Sequence, residues 1–153
     1  MKTMTRRGAI TVGIGLVAAA GAAGLWWTPD AQGTEVIVYK SPECGCCGGY
    51  VEHLQASGFD VTVRNMDDVT PVKERYGVPD DLWSCHTAVV GGYVIEGHVP
   101  LVAVRRLLAE KPAVKGIALP GMLEGSPGMS GPKTEPFIIQ AFGGGATKVF
   151  MRL

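Results

Sequence analysis

The stretch EVIVYKSPECGCCGGYVEHLQASGFDVTV, residues 35–63, decides how the rest of the chain is read. Glu35 to Lys40 is a short β-branched run with the character of a strand. Ser41-Pro42-Glu43-Cys44 turns that strand into a helix, along which Cys47, Tyr50, Val51 and Leu54 follow the i, i+3, i+4, i+7 spacing of one buried stripe. Gly58 is placed to close the helix. Phe59 to Val63 then alternates apolar and polar residues as a second strand. The result is a β-α-β unit whose first strand-to-helix turn is crowded with thiols.

Working outward toward the C-terminus, Thr70 as N-cap, Pro71 at the first helical position and Gly77 at the end predict a short second helix. Thr87 to Val90 and Tyr93 to Glu96 are strand-like runs around Gly91-Gly92, a strong hairpin signal. Pro100 opens a third helix with the stripe Leu101, Val104, Leu107 and Leu108, and Pro112 ends it. The order β-α-β-α-β-β-α, with two cysteines three apart at the first turn, is a thioredoxin-like α/β arrangement, its core at about residues 34–112. Residues 113–153 extend it. Gly116 to Lys133 is rich in Gly and Pro and reads as a Gly/Pro/Met loop. Phe137 to Phe142 and Thr147 to Leu153, around Gly143-Gly144-Gly145, read as a C-terminal β-hairpin.

Toward the N-terminus the composition changes. Lys2, Arg6 and Arg7 precede an uncharged Ala/Gly-rich run from Gly8 to Trp27, and Ala31-Gln32-Gly33 offers small residues for cleavage. A basic segment before an apolar one is the pattern of a secretory signal, so residues 1–33 are expected to be a signal peptide or, if uncleaved, a membrane anchor. Thr5-Arg6-Arg7 resembles a twin-arginine signal. Either way residues 34–153 form the exported domain, and contact with the membrane is expected only through the N-terminal segment. The first 33 residues hold three basic groups and one acid, so the remaining 120 carry 11 basic and 13 acidic groups, a formal charge of −2. No cationic patch interleaved with aromatics is present, which argues against nucleic acid as a partner.

All four cysteines lie in the exported part. An even count in an oxidising compartment ordinarily means two structural disulfides, but three of these lie within four residues, and adjacent Cys46 and Cys47 pair only with strain. At the first turn of a helix, Cys44 and Cys47 share one side, where they can meet at one atom or bond each other. The helix N-terminus favours anions and so promotes thiolates. A two-residue turn at Gly91-Gly92 pairs residues whose numbers sum to 183, which sets Cys85 opposite His98 with Cβ atoms about 5 Å apart. The start of this strand lies beside the cysteine turn in a thioredoxin-like sheet, so Cys85 and His98 are expected to face Cys44, Cys46 and Cys47. By strand alternation His86 is expected on the other face. His53 shares a polar helix face with Glu52 and is expected to be solvated. Met122 and Met129 sit in a loop with no apolar periodicity, where two thioethers can close over a soft metal or pack as adaptable hydrophobes.

The candidate metal ligands are therefore Cys44, Cys46, Cys47, Cys85, His98, Met122 and Met129. Thiolates with thioethers select Cu(I) over hard cations; zinc accepts four cysteines but is commonly held by two separated pairs. Pro42-Glu43-Cys44-Gly45-Cys46-Cys47, Ser84-Cys85-His86-Thr87, Glu96-Gly97-His98-Val99-Pro100 and the Gly121–Met129 loop together resemble the CopG-type copper-resistance family. The resemblance runs from about Glu35 to the C-terminus, with Leu123 standing where a proline would be expected. It implies a periplasmic thioredoxin-like protein with a polynuclear, cysteine-bridged copper cluster, Cu(I)/Cu(II) redox chemistry or copper transfer, and a periplasmic copper or electron-transfer partner. Two other functions remain open on the residues. One is a thiol–disulfide oxidoreductase with Cys44 as nucleophile and Cys47 resolving, although Cys85-His86-Thr87 occupies the place where thioredoxin relatives carry a cis-proline. The other is a structural zinc module.

Overall fold

The computed structural model describes residues 33–153; the expected signal peptide or anchor lies, except for Gly33, outside the described residues. The chain runs β1 (Glu35–Lys40), α1 (Gly45–Ala56), β2 (Asp60–Asn65), α2 (Thr70–Tyr76), a 3-10 turn (Asp80–Leu82), β3 (His86–Val90), β4 (Tyr93–Glu96), α3 (Leu101–Glu110), β5 (Gly116–Ala118), β6 (Ile138–Phe142) and β7 (Lys148–Arg152). These strands form one seven-stranded sheet in the order β2-β1-β3-β4-β5-β6-β7. β1 pairs parallel with β2 and antiparallel with β3, and β3 pairs antiparallel with β4. The first four strands thus have the mixed order of a thioredoxin-like core.

Helices cover both faces of the sheet, because neighbouring residues on a strand belong to different cores. Ile95, Ile117 and Ala141 join Val36, Val38, Tyr50, Leu54, Val104 and Leu107 in the larger cluster beneath α1 and α3. Val94, Ala118 and Phe142, the alternate residues, pack with Val78 and Leu82 on the α2 side. The α1 stripe is as its spacing predicts: Cys47, Tyr50, Val51 and Leu54 are its buried residues. The stripe predicted for α3 is met at Val104 and Leu107, with Ala103 as the third buried position.

The structure corrects the reading of residues 116–133 as loop throughout. Gly116–Ala118 is a short strand, parallel to β4 and antiparallel to β6. Three residues are too few to show a period. Its opening glycine is required by contact, since a Cβ there would collide with the Val94 carbonyl. Through β5 the C-terminal hairpin joins the core sheet. Thr70 is the first residue of α2 rather than its cap, and Asp68 Oδ1 accepts the Thr70 N–H at 2.8 Å.

Candidate metal centre

The cysteine turn forms because α1 starts directly behind Cys44. That residue is still extended, and its carbonyl already accepts the Gly48 N–H at 3.2 Å. Cys47 is fully buried as the first member of the α1 stripe, while Cys44 and Cys46 are partly exposed. Cys44 and Cys47 are joined by a disulfide with a Cα–Cα distance of 5.3 Å. Cys46 and Cys85 are free. Cys46 Sγ lies 3.5 Å from Cys44 Sγ and 3.9 Å from Cys85 Sγ. All four sulfurs fall within 4.8 Å of one another.

Cys85 reaches this turn by leaving the sheet. The β3–β4 ladder follows the predicted register, with Thr87 opposite Glu96 and Val90 opposite Tyr93, but Thr87–Glu96 is its last rung. Cys85 sits in a bend before β3, and Gly97, at φ +74°, turns the chain after β4. Both turns bring side chains toward α1. Cys85 Sγ stands 3.0 Å from His98 Nε2 and 3.4 Å from His86 Nδ1.

The expectation that His86 points away from Cys85 is therefore corrected. His86, Ala88 and Val90 share the α1 face, and the bend sets Cys85 on that face as well. The His86 ring packs against Tyr50 at 4.6 Å and edge-on against His98 at 4.7 Å between centroids. Its Nε2 is buried with no hydrogen-bond partner.

The electrostatics favour neutral groups. His98 Nδ1 donates to the Pro127 carbonyl at 2.7 Å, which leaves Nε2 as a lone pair aimed at Cys85. Burial lowers the pKa of His98, and burial together with the His98 and Lys73 charges lowers that of His86 much further. Burial and the neighbouring Cys46 push the Cys85 thiol up to about 12. Among the described residues, four sulfurs and two neutral imidazoles gather here without a carboxylate in either group, which makes a soft donor set.

The Met-bearing loop lies over the turn. A Cβ on Gly128, at φ +83°, would meet Tyr50 N at 2.5 Å and Cys46 O at 2.7 Å, so the loop backbone rests directly on the start of α1. Met129 follows at a half-buried position, and Met122 is 59% exposed.

Two solved structures share this arrangement of the chain. One, titled "Copper resistance protein copG- Form 2", is 36% identical over 80% of this chain and 99% of that chain, with a TM-score of 0.73. The other, titled as Form 1, is 35% identical over 80% of this chain and 98% of that one, with a TM-score of 0.72. The chain belongs to the CopG-type copper-resistance family.

Residues 82–129, from the approach to Cys85 through the Met loop, also match the family described as "Protein of unknown function, DUF411". No curated protein matches the chain. Of the seven candidate ligands read from the sequence, the structure brings Cys44, Cys46, Cys47, Cys85 and His98 together at one helix end. Met122 and Met129 lie on the covering loop, outside both hydrophobic clusters. His86 is the residue that sequence reasoning left out. Counting alternation backward from the core-facing Val90 and Ala88 would have found it.

Proposed function

We propose that this protein binds copper at the Cys44–Cys46–Cys47–Cys85 turn as a cysteine-bridged, polynuclear centre, and serves copper resistance through Cu(I)/Cu(II) redox chemistry or copper transfer. The observation that carries this reading is the mutual approach of four sulfurs within 4.8 Å, contributed by two segments far apart in sequence. Copper is the cargo here, and it supplies one-electron exchange and an affinity for thiolates. The chain's part is to bring the thiols together, to give up the Cys46 and Cys85 protons, and to hold His98 Nε2 and His86 beside Cys85. Met122 and Met129 add thioethers from the loop. The titles of the two related structures support copper as the metal. The basic and apolar pattern of residues 1–33 supports export to the periplasm.

The Cys44–Cys47 disulfide favours a second reading, thiol–disulfide exchange, with Cys44 as the more exposed sulfur. One set of measurements separates the two. Anaerobically reduced protein is loaded with Cu(I), analysed for metal content and examined by copper X-ray absorption. More than one copper per chain with sulfur-dominated coordination supports the first reading. One zinc per chain with no copper overturns it. Reduction of insulin disulfides by the metal-free protein at thioredoxin-like rates favours the second.

A further inference from the structure

On the sheet face opposite the cysteine turn lies a charged pair that the copper ligands do not include. Glu96 is fully buried and Lys73 is 3% exposed. Glu96 Oε1 accepts the Lys73 ammonium at 2.5 Å and the Ser84 N–H at 2.7 Å. Its Oε2 accepts the Thr87 hydroxyl at 2.7 Å, and Lys73 donates a second bond to that hydroxyl at 3.1 Å. Burying two charges is costly, and an apolar pair of similar volume is often at least as stable. The location of this pair gives it a purpose.

Ser84 and Thr87 flank Cys85 and His86, the two residues that carry the bend toward α1. A single carboxylate holds both flanks on the α2 side, so the backbone between them bows the other way, toward Cys46. The same anchor extends to the loop, because Ser84 Oγ donates to the Gly121 carbonyl at 2.6 Å, one residue before Met122. Gly97 lets the segment close up: a Cβ there would strike Ser84 and the Leu119 carbonyl, each at 2.7 Å.

We propose that Glu96, with Lys73 as its counter-ion, is a positioning residue that acts through the sheet to set Cys85 Sγ within bridging distance of Cys46. It touches neither the sulfurs nor the metal. The proposal rests on the copper reading, and its test lets the two fail separately.

Three variants are compared with the parent protein: Lys73→Met/Glu96→Leu, which removes the bracket and both charges; Lys73→Met/Glu96→Gln, which restores an acceptor for Ser84; and Thr87→Val, which cuts one flank. The first readout is Cu(I) affinity of the reduced protein, by competition with a chromophoric chelator. The second needs no metal: in a Cys44→Ser/Cys47→Ser background, the rate at which diamide closes a Cys46–Cys85 disulfide. Removal of an outer group that orients ligands costs about 10–100-fold in metal affinity. The leucine pair is thus expected to lose about tenfold or more in both readouts, with Thr87→Val near threefold and the glutamine pair within about threefold of the parent.

A cooperatively folded leucine pair within twofold of the parent in both readouts overturns the proposal. If that variant does not fold, Thr87→Val decides, and parent-like values in both readouts overturn it. A parent that binds no Cu(I) sinks the copper reading alone, since the diamide rates still judge the position of Cys85.

Discussion

Cys85 Sγ lies 3.0 Å from His98 Nε2, while the other ring nitrogen of the same histidine is fixed on the Pro127 carbonyl at 2.7 Å. The imidazole is thus oriented from the loop side and presents its lone pair to the sulfur. A metal-binding histidine is usually held in this way through its second nitrogen.

His98→Ala is expected to lower Cu(I) affinity by about 10–100-fold while leaving the fold intact. Chelator competition measures the affinity, and loss of a nitrogen shell in copper X-ray absorption identifies the cause. Unchanged affinity with unchanged absorption assigns His98 a purely structural role.

The Cys85 thiol, raised to about 12, keeps its proton across the neutral range in the metal-free protein. Copper must displace that proton, so apparent affinity rises with pH, by up to about tenfold per unit for each thiol that ionises on binding. A thiol of ordinary pKa would stop contributing near its own value of 9.0, whereas Cys85 continues well above it. Cu(I) titrations carried from pH 6 to about 10.5 are expected to show affinity still rising above pH 9. Cys85→Ser should reduce the slope by about one proton and cause the largest affinity loss of any single ligand change.

The Cys44–Cys47 disulfide occupies two of the four sulfurs. Protein treated with a dithiol reductant should therefore bind more copper per chain than protein loaded in its oxidised form. Elemental analysis gives the ratio, and alkylation before and after reduction counts two additional thiols. Equal loading in both states would show that Cys44 and Cys47 are not ligands.

Gly128→Ala places a methyl group where the loop backbone touches Tyr50 N and Cys46 O, at a φ of +83°. It should destabilise the domain by about 1–3 kcal/mol, a fall in Tm of roughly 4–12 °C. Thermal melts test this. The loop should also become more open to proteolysis near Met129.

Local signals carried most of the fold. β1 and β4 have the predicted limits, the Gly91-Gly92 register is as counted, and the α1 stripe matches residue for residue. β5 stayed hidden because three residues cannot display a period, and only its neighbours in the sheet make it a strand. At the site, the closeness of Cys85 to His98 was legible from register, yet the route was not. Sequence alternation describes regular strands, and both residues lie just beyond the last rung. The Glu96 bracket was equally invisible: a lone glutamate at a strand end and a lysine on a short helix give no hint that they meet in the interior.

The thiols at the turn and the one beyond it are 38 residues apart at their closest, and they meet only after β3 has docked beside β1. An unstructured chain holds a C-x-C-C cluster but not the completed nest. Thiol groups rank divalent ions by intrinsic preference, so selection among competitors in a cell depends largely on which ions are on offer. Were the site to take its ion as it forms, a precursor that folded before crossing a membrane would draw it from a different supply than one that folded afterwards.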